Sequence, residues 1–149
     1  MTIAIRPARA GDDVVSIKAL LEFCDLPGDI QCPPGEEPEN FFVVTEAGKV
    51  VACAGLEIYP PVGLVRSLAV DPSQRSRGFG AALLVKLIER AEELEISEIY
   101  GLTVSAKAYL QAHGFALVPR SDAPPSLLRS AQFKIQCPTS AVLLRMNLA

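Results

Sequence analysis

Two hydrophobic periods alternate along this chain. Ile3–Arg6 alternates apolar and polar residues like a short half-buried strand, and Phe41–Glu46 and Lys49–Tyr59 read as strands rich in Val and aromatics. A three-to-four spacing, that of one helix face, joins Val14, Ile17, Leu20, Leu21 and Cys24, and Asp12 or Asp13 can cap that helix. Ala47-Gly48 reads as a tight turn, and Pro60-Pro61-Val62-Gly63 as a second turn into a strand Leu64–Val70. Three adjacent strands with short links predict an antiparallel meander. The third ends at Asp71-Pro72, because proline has no N–H for a sheet ladder. Helical spacing returns at Leu83, Leu84, Leu87, Ile88, Ala91 and Leu94, predicting a helix over 80–95, and Glu98–Val104 reads as a strand. A strand–helix–strand crossover makes Leu64–Val70 and Glu98–Val104 parallel neighbours. A short helix Ala106–His113 stopped by Gly114, a strand-like Phe115–Pro119, a helix Ser126–Phe133 opened by Pro124-Pro125 and a closing strand Ser140–Asn147 complete a mixed α/β sheet.

The chemistry concentrates between Leu64 and Leu84. An apolar strand, a proline stop, a loop with Arg75, Arg77, Gly78 and Gly80, and a helix follow one another there. A helix start exposes N–H groups without internal partners, its dipole adds partial positive charge, and glycine lets the backbone approach an anion. The order suits a pyrophosphate; the alternative is an ordinary strand-to-helix turn with two surface arginines. A dinucleotide fingerprint fits worse, since Leu83 stands where its third glycine belongs and seven residues separate Val70 from Gly78. No G-x-x-x-x-G-K-S/T loop is present.

Arg75-Ser76-Arg77-Gly78-Phe79-Gly80, after the strand Leu68-Ala69-Val70-Asp71-Pro72, resembles the R/Q-x-x-G-x-G/A signature of the GNAT family of acetyl-CoA-dependent N-acetyltransferases. Further motifs are similar to its small arsenic-resistance subgroup and, more distantly, to amino-acid N-acetyltransferases. They include Leu26-Pro27-x-Asp29, Gly55-Leu56-Glu57-x-Tyr59, Leu64-x-Arg66-Ser67-Leu68-Ala69-Val70, Leu102-Thr103-x-x-Ala106, Gly114-Phe115 and Cys137-Pro138-x-Ser140-Ala141. The resemblance implies a single domain over 1–149, with a central mixed sheet of about six to seven strands and helices on both faces. It implies acetyl-CoA as co-substrate and direct attack by the primary amine of a small amino-acid-like or arsenic-related molecule. The backbone of Leu68, Ala69 and Val70 would pair with the pantetheine arm, the Leu68 N–H polarising the thioester carbonyl. Arg75, Ser76, Arg77, Gly78, Phe79, Gly80 and Ala81 would hold the pyrophosphate, and Asp29, Arg66 and Thr103 would face the acceptor.

Such an attack needs a base for the amine proton. Glu57, at the end of an apolar strand, reads either as that base or as a solvent-facing carboxylate. Arg66 suits a substrate carboxylate or a pairing with Glu57. For the general acid, many members of the family carry a tyrosine four residues before the glycine of the Gly-Phe pair. Here that position is Leu110 and the tyrosine is Tyr109, turned by about 100° on a helix. Tyr109 is therefore a candidate acid or a packing residue, and a non-catalytic acyl-CoA sensor is the alternative reading of the whole chain.

Composition narrows the partners. A chain of 149 residues, 50% of them hydrophobic, can bury a core, and no run approaches the roughly 18 apolar residues of a membrane span. A net charge of −3 argues against nucleic acid, and the N-terminus lacks an apolar signal core, which points to the cytoplasm. Cys24, Cys32, Cys53 and Cys137 lack paired spacings, so free thiols and no metal are expected; Cys137 is a structural Cys-Pro or a thiol ligand for trivalent arsenic. His113 suits a helix C-terminus better than catalysis, and Arg120 and Arg129 read as anion contacts or solvated surface. Monomer and homodimer both remain open.

Overall fold

The computed structural model of the chain describes residues 2–26, 35–104, 106–130 and 141–148. Its strands are β1 (Ile3–Pro7), β2 (Phe41–Glu46), β3 (Lys49–Tyr59), β4 (Val62–Val70), β5 (Glu98–Thr103), β6 (Ala116–Val118) and β7 (Val142–Asn147). Its helices are α1 (Asp12–Phe23), α2 (Phe79–Glu93), α3 (Lys107–Ala112) and α4 (Pro125–Leu128). The strands form one mixed sheet in the order β1-β2-β3-β4-β5-β7-β6, the α/β class expected from the two periodicities. Two compact units divide the chain: Met1–Leu56 with Arg66–Arg90, and Glu57–Val65 with Ala91–Ala149.

In the first unit β1 and β2 run antiparallel from Ile3↔Glu46 to Pro7↔Phe42, and β2 and β3 from Phe41↔Gly55 to Glu46↔Lys49. The β2–β3 hairpin closes at Ala47 and Gly48, both left-handed (φ 50° and 81°), as a tight two-residue hairpin demands. Ile17, Leu20 and Leu21 of α1 pack with Phe41, Val43, Cys53 and Ala69, and Val14 and Cys24 complete the predicted stripe. In α2 the stripe is likewise inward, with Leu83, Leu84, Leu87 and Ala91 buried. Each such leucine contributes about 1.5–3 kcal/mol by leaving water.

In the second unit β5 takes β4 as a parallel neighbour, from Val62↔Glu98 to Val65↔Gly101, and β7 as an antiparallel one, from Glu98↔Asn147 to Thr103↔Val142. The parallel pair predicted from the crossover is thus present. β6 pairs with β7. Val62, Leu64, Tyr100, Leu102, Leu127 and Leu143 form the core of this unit. A Cβ on Gly101 would lie 2.9 Å from Leu110 Cδ1, so α3 sits against β5 where no side chain intervenes.

Several predicted details differ. Neither Asp12 nor Asp13 caps α1 by its side chain; Gly11 (φ 82°) occupies the cap, and Asp13 lies inside the first turn. From there its carboxylate accepts from Arg9 N at 2.8 Å and from Arg6 Nη2 at 3.0 Å. The second turn is shorter than expected, because Val62 and Gly63 pair with Glu98 and Ile99 and so join β4. α2 spans Phe79–Glu93 rather than 80–95, and a 3-10 turn, Pro72–Gln74, precedes it. α4 is one turn, closing with Ser130 N donating to Leu127 O at 2.9 Å. The predicted continuation to Phe133, Ser140 of the closing strand, and Cys32, Cys137 and Asp29 lie outside the described residues.

Candidate acetyl-donor and acceptor site

The candidate donor residues begin in the second half of β4. Ser67 stands at φ 55°, left-handed inside a strand, a conformation that costs an L-residue about 1–2 kcal/mol. Its carbonyl accepts from Cys53 Sγ at 3.3 Å, and its Oγ accepts from Arg66 Nε at 3.4 Å. The twist breaks the alternation: Val62 through Arg66 are all buried, and only then do half-buried Ser67, Leu68 and Val70 flank buried Ala69. Burial pushes the Cys53 thiol up to about 12.

Asp71 closes the strand. Its N–H donates to Val51 O at 2.8 Å, and its carboxylate accepts from Ser73 N at 2.9 Å and Ser73 Oγ at 2.8 Å, capping the 3-10 turn. The Ser73 N–H bond holds the Asp71 carboxyl below the usual carboxylate range. Beyond the turn, Ser76 (φ 69°) and Gly78 (φ 83°) are left-handed on either side of Arg77. A Cβ on Gly78 would meet nothing within 4 Å. The first bond of α2 is Ala82 N to Gly78 O at 3.0 Å, so the N–H groups of Phe79, Gly80 and Ala81 precede any helical acceptor.

The two loop arginines differ sharply. Arg75 is exposed, with Nη2 4.0 Å from Cys24 Sγ, while that thiol donates to Val70 O at 3.6 Å. Arg77 meets Glu46 of β2 with both terminal nitrogens, Nη1 to Oε1 at 3.1 Å and Nη2 to Oε2 at 2.9 Å. Its Nη1 also donates to Gln74 Oε1, and its Cζ lies 4.8 Å from the centre of the Phe79 ring. The Arg77 bond holds the Glu46 carboxyl below its ordinary range.

Among candidate acceptor residues, Arg66 is buried at 8% exposure. A Cβ on Gly55 would lie 2.6 Å from the Phe41 ring and 3.2 Å from Arg66 Cγ, so glycine there leaves room for both side chains. Glu57 is half-buried and accepts from the Tyr59 hydroxyl, two residues on and on the same strand face. Thr103 ends β5, its Oγ1 accepting from Ala106 N at 2.9 Å. Tyr109 lies on the exposed face of α3, its ring 4.5 Å from that of His113, and partial burial raises its phenol above the usual value. Leu110, at the position where the family often places tyrosine, is turned inward toward Gly101. His113 caps α3, its Nδ1 2.8 Å from Tyr109 O, the terminal role expected for it. Arg120 is half-buried, and its Nη1 donates to Ala141 O at 3.0 Å, just before β7. Among the described residues no cluster of His, Cys, Asp or Glu could hold a metal, and Cys24 and Cys53 are free thiols.

Three features escaped sequence reasoning. The Glu46 clamp joins residues 31 apart and left no local trace. Ser67 is not a residue type that marks a left-handed turn. The Tyr59–Glu57 bond alone had a signal, the E-x-Y spacing on one face of a strand.

Residues 15–116 match the family model described as acetyltransferase (GNAT) family. The amino-acid acetyltransferase of Neisseria meningitidis serogroup A is 26% identical over 149 residues, covering 96% of this chain and 34% of that protein. That of Mycobacterium tuberculosis is 33% identical over 69 residues, covering 46% and 39%. The chain thus spans about a third of the length of the first of these relatives. Among solved structures, N-acetylglutamate synthase from Neisseria gonorrhoeae, complexed with coenzyme A and N-acetyl-glutamate, superposes with a TM-score of 0.80 at 22% identity over 100% of this chain and 36% of that one. A Mycobacterium tuberculosis protein in complex with CoA gives 0.79 at 22% identity over 98% and 99%. A match across residues 15–116, carrying the strand–loop–helix signature within it, means that this chain belongs to the acetyltransferase (GNAT) family.

Proposed function

We propose that the chain transfers the acetyl group of acetyl-CoA to the primary amine of a small amino-acid-like molecule. The family match over 15–116, with the Arg75–Gly80 signature leading into α2, carries the reading. The relatives named amino-acid acetyltransferase support the acceptor class. The pantetheine arm adds to the backbone of Leu68, Ala69 and Val70 as a further strand would, and the loop from Arg75 to Ala81 holds the pyrophosphate. The neutral amine attacks the thioester carbonyl carbon. A C–N bond forms, the oxyanion takes the Leu68 N–H, the C–S bond breaks, and the thiolate leaves to be protonated. An oxyanion donor of this kind is commonly worth about 3–4 kcal/mol. Glu57 accepts the amine proton, directly or through water, with Tyr59 donating to its carboxylate. Arg66 receives the acceptor's carboxylate. Tyr109 or solvent returns a proton to the thiolate. An arsenic-bearing amino-acid analogue is a second acceptor within the class, supported by the subgroup motifs Gly55-Leu56-Glu57-x-Tyr59 and Leu64-x-Arg66-Ser67. We place this chemistry in the cytoplasm; no described helix is long and apolar enough to cross a membrane.

Calorimetry with acetyl-CoA, followed by thiol release across an acceptor panel of amino acids and their arsenic-bearing analogues, tests the proposal. Saturable binding with turnover on an amino-acid amine is expected; absence of acetyl-CoA binding overturns it. The inward turn of Leu110 favours one alternative, a non-catalytic acyl-CoA sensor on the same fold. Binding without turnover on any amine would select the sensor.

A further inference from the structure

We propose that Glu46 is a positioning residue for the donor loop. Its carboxylate clamps the Arg77 guanidinium against the end of β2. Arg77 therefore braces the loop, and the anion contact falls to the Arg75 side chain and the backbone N–H groups at the start of α2. The inference rests on the acetyl-CoA reading above.

A guanidinium presents its donors along the edges of one plane, and one edge matches the two oxygens of a carboxylate. Arg77 turns that edge to Glu46: Nη1 donates to Oε1 at 3.1 Å, and Nη2 lies 2.9 Å from Oε2 as an ion pair without a hydrogen bond. A second donor direction goes to Gln74 Oε1, and one face of the plane covers the Phe79 ring at 4.8 Å. These partners stand at three separate places: the last residue of β2, the last of the 3-10 turn and the first of α2. One side chain thus ties the two ends of the loop to each other and to the sheet. Between those ties the backbone carries left-handed residues, Ser76 and Gly78, immediately before and after Arg77. A loop of that shape loses its presented N–H geometry when the side chain between them is released.

The existing partners of Arg77 favour a brace over a phosphate ligand. The Glu46 side chain is 11% exposed, against 37% for that of Arg77. A phosphate that recruited Arg77 would take from the half-buried Glu46 carboxylate its charged hydrogen bond. Pairing also cancels one positive charge of the loop. The pull on a pyrophosphate then comes from exposed Arg75 and from the dipole of α2.

Two donors that differ only in the pyrophosphate half make the test: acetyl-CoA and S-acetylpantetheine. Wild type, Glu46→Gln, Arg77→Ala and the double variant are compared by calorimetry and by steady-state kinetics on one acceptor. A brace predicts that each single substitution raises the acetyl-CoA Kd and KM about three- to tenfold, and that the double variant is no worse than either single one. For Glu46→Gln it also predicts an unchanged KM for S-acetylpantetheine and an unchanged kcat, which a general loss of folding would not leave intact. The charge-swapped pair Glu46→Arg with Arg77→Glu should recover most of the acetyl-CoA affinity. If Arg77→Ala weakens acetyl-CoA while Glu46→Gln leaves it unchanged or tightens it, Arg77 touches the phosphate itself and the proposal fails. Additive losses in the double variant, or no recovery in the swapped pair, overturn it as well. A wild type without saturable acetyl-CoA binding removes the functional reading itself, an outcome separate from these.

Discussion

Single residues in this chain work by placing charge. Asp13 is buried at 8% exposure, and its carboxyl is held below the usual range chiefly by the bond from Arg6, with Arg9 N adding to it. Asp13→Asn is expected to cost about 1.5–3 kcal/mol near neutral pH, the worth of charged hydrogen bonds. The native carboxyl binds its proton more weakly than the unfolded one. The stabilisation is therefore full above the ordinary carboxylate pKa of about 4, and it disappears as pH falls through the lowered native value. Urea denaturation of both proteins at neutral and at acid pH should show the gap closing on the acid side. At Glu57 the charge serves the proposed reaction. Glu57→Gln should lower kcat about 10²- to 10⁴-fold, as removal of a general base does. The loss should shrink as pH rises toward the amine's own pKa, where the acceptor arrives already deprotonated. A pH series of initial rates checks this, and an unchanged kcat would remove Glu57 from the mechanism.

At the scale of elements, the interruptions of β4 and α2 matter more than their regular parts. Ser67 twists β4 where its burial pattern changes, and Gly78 ends the loop at φ 83° with open space where a Cβ would go. Gly78→Ala therefore meets no steric block and should cost about 1–2 kcal/mol of backbone strain. Its added methyl would also keep an anion from the helix N-terminus, since glycine permits the close approach. Calorimetry should accordingly show acetyl-CoA affinity falling about tenfold or more, beyond what the drop in Tm accounts for. Equal losses would mean that the loop backbone is not the anion seat.

For the molecule as a whole, ligand linkage is the check that needs no substitution. A ligand bound only by the native state at 100 times its Kd stabilises by about 2.7 kcal/mol. In a chain of this length each kcal/mol moves Tm by about 2–4 °C, so acetyl-CoA should raise it by about 5–10 °C. S-acetylpantetheine at the same concentration should raise it less, because it lacks the pyrophosphate that the loop would hold. Equal shifts would place the pyrophosphate elsewhere.

Much of this was legible in the order of residues, because strand and helix periods are local. The stripe of α1 and α2, the β2–β3 hairpin at Ala47-Gly48, the parallel neighbours β4 and β5, and the proline stop before the loop all follow from spacing and from backbone chemistry within a few residues. The glycine loop and its helix start were likewise local, and so their place between β4 and α2 could be read directly. What only the tertiary structure decided joins residues far apart or depends on how a side chain turns. Asp13 forsakes the cap for Arg6, Val62 and Gly63 enter β4 because β5 pairs with them, and Leu110 faces Gly101 while Tyr109 faces out. Glu46 reaches Arg77 only because the end of β2 and the start of α2 fold together. Periodicity specifies which face of an element is apolar; only packing settles which distant partner each charge on the other face meets.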